Sequence, residues 1–169
     1  EHIKNRLLVF SGKGGVGKST VAANLSLAFA KKGLKVGLLD VDIHGPNLAK
    51  MLGVEDKRLD ISSGGIRAVE VNANLKLVSM SFLIQDPNIP VIWRGPMLHK
   101  ALEQFLVDVL WDEPDYLLID MPPGTGDVAI SLSQFLPRSE TIVVTTPQPT
   151  AERVAMKAGL MEMGHIFVV

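Results

Sequence analysis

Gly12-Lys13-Gly14-Gly15-Val16-Gly17-Lys18-Ser19 follows the apolar run Arg6-Leu-Leu-Val-Phe10 and opens a stretch of helical composition that begins near Lys18. The pattern Gly-x-x-x-x-Gly-Lys-Ser belongs to a phosphate-binding loop set between a strand and a helix. Glycines let the backbone curl until several N–H groups point at one anion. The N-terminus of the following helix adds a favourable dipole. Lys18 can place a point charge on the β- and γ-phosphates, Ser19 can ligate Mg²⁺, and Thr20 can reach the α-phosphate. The same residues also spell Gly12-x-Gly14-x-x-Gly17, a dinucleotide fingerprint, with Asp40 near the expected distance downstream. A dinucleotide loop needs no Lys-Ser after its third glycine, no paired acids at Asp40 and Asp42, and no second strand-end acid at Asp120. The phosphate-loop reading is therefore preferred, and an NAD-binding Rossmann enzyme is the remote alternative.

Outward from the loop, short apolar runs alternate with amphipathic ones. The pattern predicts strands at 6–10, 35–40, 116–120, 141–145 and 166–169, with short strands between Ile61 and Leu83. It predicts helices over 18–32, 47–52, 97–110, 127–136 and 150–163, with Gly33 as the cap closing the first. Continuous apolar strands alternating with helices give a mostly parallel sheet with helices on both faces, an α/β fold of the P-loop NTPase type. Ligands of such sheets sit beyond the carboxyl ends of the strands. Phe10, Asp40, Asp120 and Thr145 all end strands there. The chain reads as a single P-loop ATPase domain over residues 1–169. Its last apolar run looks like an uncovered core strand, so further C-terminal residues are expected.

Of the 169 residues, 47% are apolar, the formal net charge is -1, and there is no cysteine. This balance carries no strong field that would point to nucleic acid or an anionic membrane. Lack of thiols rules out disulfides and Cys-ligated metals within these residues. No apolar run approaches the roughly 18 residues of a membrane helix, and a soluble cytoplasmic protein is expected.

Asp120 ends its strand where a second acid of a P-loop site would orient the waters around Mg²⁺. Gly124, four residues on in Met121-Pro-Pro-Gly-Thr-Gly126, is placed to sense a γ-phosphate through its N–H. Asp40 and Asp42 alternate onto one side of the chain. One can help hold the Mg²⁺ shell, the other orient the attacking water. His2, His44, His99 and His165 show no metal-ligand spacing and read as surface or packing residues. Met156, Met161 and Met163 read more readily as core than as a client groove.

Lys13 early in Lys-Gly-Gly-Val-Gly-Lys-Ser-Thr resembles the deviant Walker A of the MinD/ParA-like ATPases. Within that group the chain is similar to the Mrp/ApbC family of iron–sulfur cluster carriers. Asp40-Val-Asp-Ile-His-Gly-Pro-Asn47, Ile92-Trp-Arg-Gly-Pro-Met97, Asp120-Met-Pro-Pro-Gly-Thr-Gly-Asp127 and Thr145-Thr-Pro-Gln148 carry the likeness, and the stretch with Trp93 and Arg94 is the most specific. The resemblance implies phosphate binding by the loop from Gly12 to Thr20 with Lys18 as its cation, and Mg²⁺ on Ser19 with Asp120 at the second acid; Asp40 joins the Mg²⁺ set on the residue pattern alone. It implies that Asp42 positions the hydrolytic water, and that Lys13 reaches the partner's nucleotide across a homodimer. It implies ATP-dependent dimerisation and apo-protein clients. The family's cluster-binding Cys-x-x-Cys has no counterpart here, so a cluster is expected only if its ligands lie beyond Val169. Two other functions fit the loop: a positioning or partition ATPase, and a nucleotide-gated scaffold that holds no cluster.

Overall fold

The computed structural model describes residues 3–42, 45, 47–84, 95–124, 134–147 and 166–169. Its elements run β1 Asn5–Phe10, α1 Lys18–Lys31, β2 Val36–Asp40, α2 Leu48–Met51, β3 Asp60–Ser62, β4 Gly65–Arg67, β5 Val69–Asn72, β6 Leu75–Ser79, α3 Met80–Ile84, α4 Gly95–Val107, β7 Val109–Leu110, β8 Tyr116–Asp120, β9 Glu140–Val143 and β10 Ile166–Val168. Seven strands form one sheet in the order β10-β9-β1-β8-β2-β6-β5. Every neighbouring pair is parallel except β5 with β6. A second sheet of β3, β4 and β7 stands apart from it.

Side chains alternate across the large sheet and build two cores. Leu8, Phe10, Leu39, Leu117, Ile119 and Val143 point to one face, where Leu102 and Phe105 of α4 cover them. Leu7, Val9, Leu38, Leu77, Leu118 and Ile142 point to the other, under Ala22, Ala23 and Ala30 of α1 and Leu48 of α2. Strands buried on both faces need apolar residues at every position, which explains the unbroken runs in the sequence. The mostly parallel sheet with helices on both faces is thus the architecture adopted.

Local signals explain the borders. The N–H of Leu34 reaches Phe29 O at 3.2 Å and that of Gly33 reaches Ala30 O at 3.0 Å, closing α1 in a Schellman turn with Gly33 at φ +84. Gly53 closes α2 by the same pair of bonds. The expected long helix to Leu110 stops at Val107. Val109 and Leu110 instead pair with Ile66 and Arg67, because Val109 and Ile66 share the core beneath α4. Within 61–83 the last residues turn helical, as α3. Close packing fixes one position in β2. A Cβ on Gly37 would lie 2.6 Å from the Trp111 ring.

The readings of His2, His44, Trp93, Arg94, Gln148, His165, the segment 125–133, and the helix over 150–163 with Met156, Met161 and Met163 lie outside the described residues. Among the described residues no helix is long and apolar enough to cross a membrane.

Candidate functional site

The parallel register lays Val9, Asp120, Asp40 and Ser79 side by side on β1, β8, β2 and β6. Partners in this register point to the same face, about 4.8 Å from strand to strand. Three polar side chains therefore form one row at the carboxyl ends of the strands, on the face that α1 covers. Asp40, Asp120 and Ser79 have no exposed surface.

The loop between β1 and α1 closes over this row. Gly15 and Gly17 take φ +76 and +92, conformations that side chains resist. Gly17 is the N-cap residue of α1, and no side chain caps the helix, so its first N–H groups are not consumed by a neighbouring side chain. Lys18, buried, turns inward and donates from Nζ to Asp120 Oδ1. Ser19 Oγ donates to Asp120 Oδ2 at 2.6 Å. Asp42 Oδ2 lies 3.9 Å from Lys18 Nζ, and its Oδ1 accepts the N–H of Gly45 at 3.2 Å.

Asp40 faces a different set of partners. Its Oδ1 accepts the Asp42 N–H at 3.1 Å and its Oδ2 the Ser79 hydroxyl at 2.8 Å. Burial pushes its carboxyl up to about 7. The Asp120 charge one strand away adds to that, and the Ser79 bond opposes it. Burial also raises Asp120, against the pull of Lys18 and Ser19.

A cleft of about 450 Å³ opens above. Gly14, Gly15, Gly17, Lys18, Ser19, Thr20 and Asp42 line it, with Met51 and Pro123 on its apolar rim. Of the other expected residues, Gly12 and Lys13 are exposed outside this lining, and Val16 packs against the α1-side core. The N–H of Gly124, at φ +92, donates to Ser11 O at 2.9 Å. Thr145 bonds through its N–H to Val169 O, joining the ends of β9 and β10.

A larger cleft, about 540 Å³, lies toward the opposite ends of the strands, where Lys76 is the second residue of β6. Its charges engage neighbours: Lys76 with Asp112, Lys57 with Glu70 O, Arg67 at 4.0 Å from Asp60. The smaller cleft has the glycine loop, an inward lysine and uncapped helix N–H groups, which makes it the candidate phosphate site.

Ser19 Oγ and Asp120 Oδ2 are hard oxygen donors within one coordination edge, since neighbouring ligands of an octahedral Mg²⁺ at about 2.1 Å lie about 3 Å apart. Among the described residues no group of three acid or imidazole side chains forms a metal cage. Mg²⁺ commonly takes one or two protein oxygens and fills its shell with water and phosphate.

The family model ParA, described as NUBPL iron-transfer P-loop NTPase, matches residues 2–166. The chain belongs to this family. The dinucleotide alternative falls with that match. An iron-sulfur cluster carrier protein of Mycobacterium tuberculosis is 52% identical over 151 residues, covering 89% of this chain and 39% of that protein. One from Methanocaldococcus jannaschii is 48% identical over 160 residues, covering 94% and 55%. The chain thus spans about half or less of these relatives' lengths. A nucleotide-binding protein from Archaeoglobus fulgidus, solved in complex with ADP, superposes with TM-score 0.83 at 37% identity, over 97% of this chain and 65% of that one. The septum site-determining protein MinD of Pyrococcus horikoshii, complexed with Mg-ADP, gives 0.63 at 27% identity, over 96% and 67%.

Two parts of this P-loop NTPase site escaped the sequence reading. Ser79 and Ser81 supply the buried hydroxyls behind Asp40, and Ser11 supplies the carbonyl that holds Gly124. A polar residue ending the apolar run at Leu75–Ser79 was the available signal for Ser79.

Proposed function

We propose that residues 1–169 are one P-loop ATPase domain, which binds ATP with Mg²⁺, hydrolyses it and acts in iron–sulfur cluster assembly or transfer in the cytoplasm. The convergence of Lys18, Ser19, Asp42 and Asp120 on the glycine loop is the observation that carries the nucleotide reading. The cluster reading rests on the family and on the relatives' names. No cysteine occurs among the 169 residues, so thiolates for a cluster must come from elsewhere.

In this reading the loop N–H groups and Lys18 hold the β- and γ-phosphates. To reach them, Lys18 gives up Asp120 Oδ1. Ser19, with Asp120 and Asp40 through the surrounding water shell, would hold Mg²⁺, which supplies charge neutralisation on the phosphate oxygens. Asp42 orients the attacking water, and its place beside Lys18 puts it at the phosphate end of the cleft. Gly124 senses the γ-phosphate when its N–H leaves Ser11 O. Lys13, exposed on the lip of the loop, reaches the nucleotide of a second subunit, which couples ATP to homodimer formation. Apo-proteins that receive the cluster are the clients.

The test is ATP titration and phosphate release with Mg²⁺. Lys18→Ala removes a charge-assisted contact of about 1.5–3 kcal/mol and weakens ATP binding at least about tenfold. Unchanged affinity in a folded variant would refute the phosphate-loop assignment.

A further inference from the structure

Behind the acids of the cleft runs a chain of buried hydroxyls that the phosphate-loop motif does not contain. Ser79 ends β6 in register with Asp40 and has no exposed surface. Its Oγ donates to Asp40 Oδ2 at 2.8 Å and lies 2.8 Å from Ser81 Oγ. A serine hydroxyl has one proton. Because that proton goes to Asp40, Ser81 is the donor to Ser79. The Ser81 N–H supplies a second bond to Ser79 Oγ, at 3.1 Å. With Asp40 ionised, the direction runs Ser81 to Ser79, Ser79 to Asp40.

From Asp40 the chain continues to the cleft. Its other oxygen, Oδ1, accepts the N–H of Asp42. That bond lies where the backbone leaves β2, and the Asp42 carboxylate two residues on from Asp40 stands 3.9 Å from Lys18 Nζ. A carboxylate held at one oxygen only can turn about its last torsion, which is broad and roughly two-fold. Ser79 removes that freedom by fixing Oδ2, so Oδ1 stays aimed at the Asp42 amide.

We infer that Ser79, backed by Ser81, is a positioning residue for hydrolysis: it locks the Asp40 carboxylate, and Asp40 in turn sets where Asp42 stands at the phosphate end of the cleft. This rests on the ATPase reading above. Ser79 is wholly buried and does not line the cleft, and it acts only through Asp40. Packing alone would be met as well by an apolar side chain at a strand end where Leu75, Leu77 and Val78 are already buried. The hydroxyl is needed because a buried carboxylate oxygen faces it.

The experiment is steady-state ATP hydrolysis with Mg²⁺, alongside ATP titration, in the intact protein. Ser79→Ala is expected to lower kcat about tenfold or more, since small displacements of a positioning group are costly. ATP affinity should stay within about twofold. Ser79→Thr and Ser79→Val share a shape and differ by the hydroxyl, so Thr should retain turnover that Val loses. That comparison serves if Ser79→Ala folds poorly. A residue that acts through Asp40 has nothing left to do once Asp40 is changed. In an Asp40→Ala background, where no side-chain oxygen is left for Ser79 to hold, Ser79→Ala should therefore add no further loss. Multiplying losses, or equal turnover in the Thr and Val variants, would overturn the positioning role and leave the ATPase reading standing. A wild type without Mg²⁺-dependent turnover would sink both.

Discussion

Asp40 should make the nucleotide- and metal-free protein less stable as pH rises through neutrality. Its carboxyl is wholly buried, and its folded value stands at about 7 against an ordinary 3.8. The folded state therefore binds its proton more tightly than the unfolded chain does. Between about pH 4 and 7 the native state carries more protons, so unfolding free energy falls with rising pH and levels off above the folded value. A gap of about three units at 1.36 kcal/mol each sets a ceiling near 4 kcal/mol. Asp120, raised in the same direction by burial, adds to the slope. Asp40→Asn removes the ionisation and keeps the shape. Its amide oxygen can still accept the Asp42 N–H, and its NH₂ can donate to Ser79 Oγ. Urea unfolding of both proteins from pH 5 to 8.5 is the assay. The wild type should lose roughly 2–3 kcal/mol over that range, and Asp40→Asn should show a clearly shallower curve with its relative gain greatest at high pH. Parallel curves for the two proteins would refute the reasoning, because the proton would then be held elsewhere.

Asp42→Asn should keep ATP binding and slow hydrolysis about 10²-fold, measured as phosphate release at saturating ATP; undiminished turnover would shift the water-orienting role away from Asp42. Lys13→Ala should leave nucleotide affinity of the single subunit nearly intact and abolish ATP-dependent dimers, read by light scattering beside a titration. If it loses affinity as badly as Lys18→Ala, its role in a facing subunit is wrong. Gly37→Ala places a methyl 2.6 Å from the Trp111 ring and should cost about 1–3 kcal/mol, lowering Tm by several degrees. An unchanged Tm would mean that the β2–Trp111 contact is loose.

The sheet and the loop were legible because each writes a local signature. Strands buried on both faces leave unbroken runs such as Leu7-Leu-Val-Phe10, and a backbone anion cradle demands glycine at Gly15 and Gly17, where φ is positive. Asp40 and Asp120 were legible as strand-end acids. What could not be read was who stands beside whom. Strand order is set by crossovers, so nothing near Ser79 in the chain says that β6 lies next to β2. Two-residue β7 was equally hidden: Val109 and Leu110 continue the apolar spacing of α4, and only pairing with Ile66 and Arg67 pulls them out of the helix.

Strand order also explains why the acids work as a set. β8 sits between β1 and β2, so Asp120 lies directly under the loop that leaves β1, where Lys18 and Ser19 both reach it. Asp40, one strand farther, is beyond the reach of those bonds and is held by Ser79 from the β6 side. Two carboxylates in one buried row would repel if both ionised without partners. The lysine neutralises the nearer one, and the hydroxyl and amide bonds hold the farther one. The aspartate that enters the cleft, Asp42, hangs from the second. If that division holds, changing Lys18 should act chiefly on nucleotide affinity, and changing Ser79 chiefly on turnover.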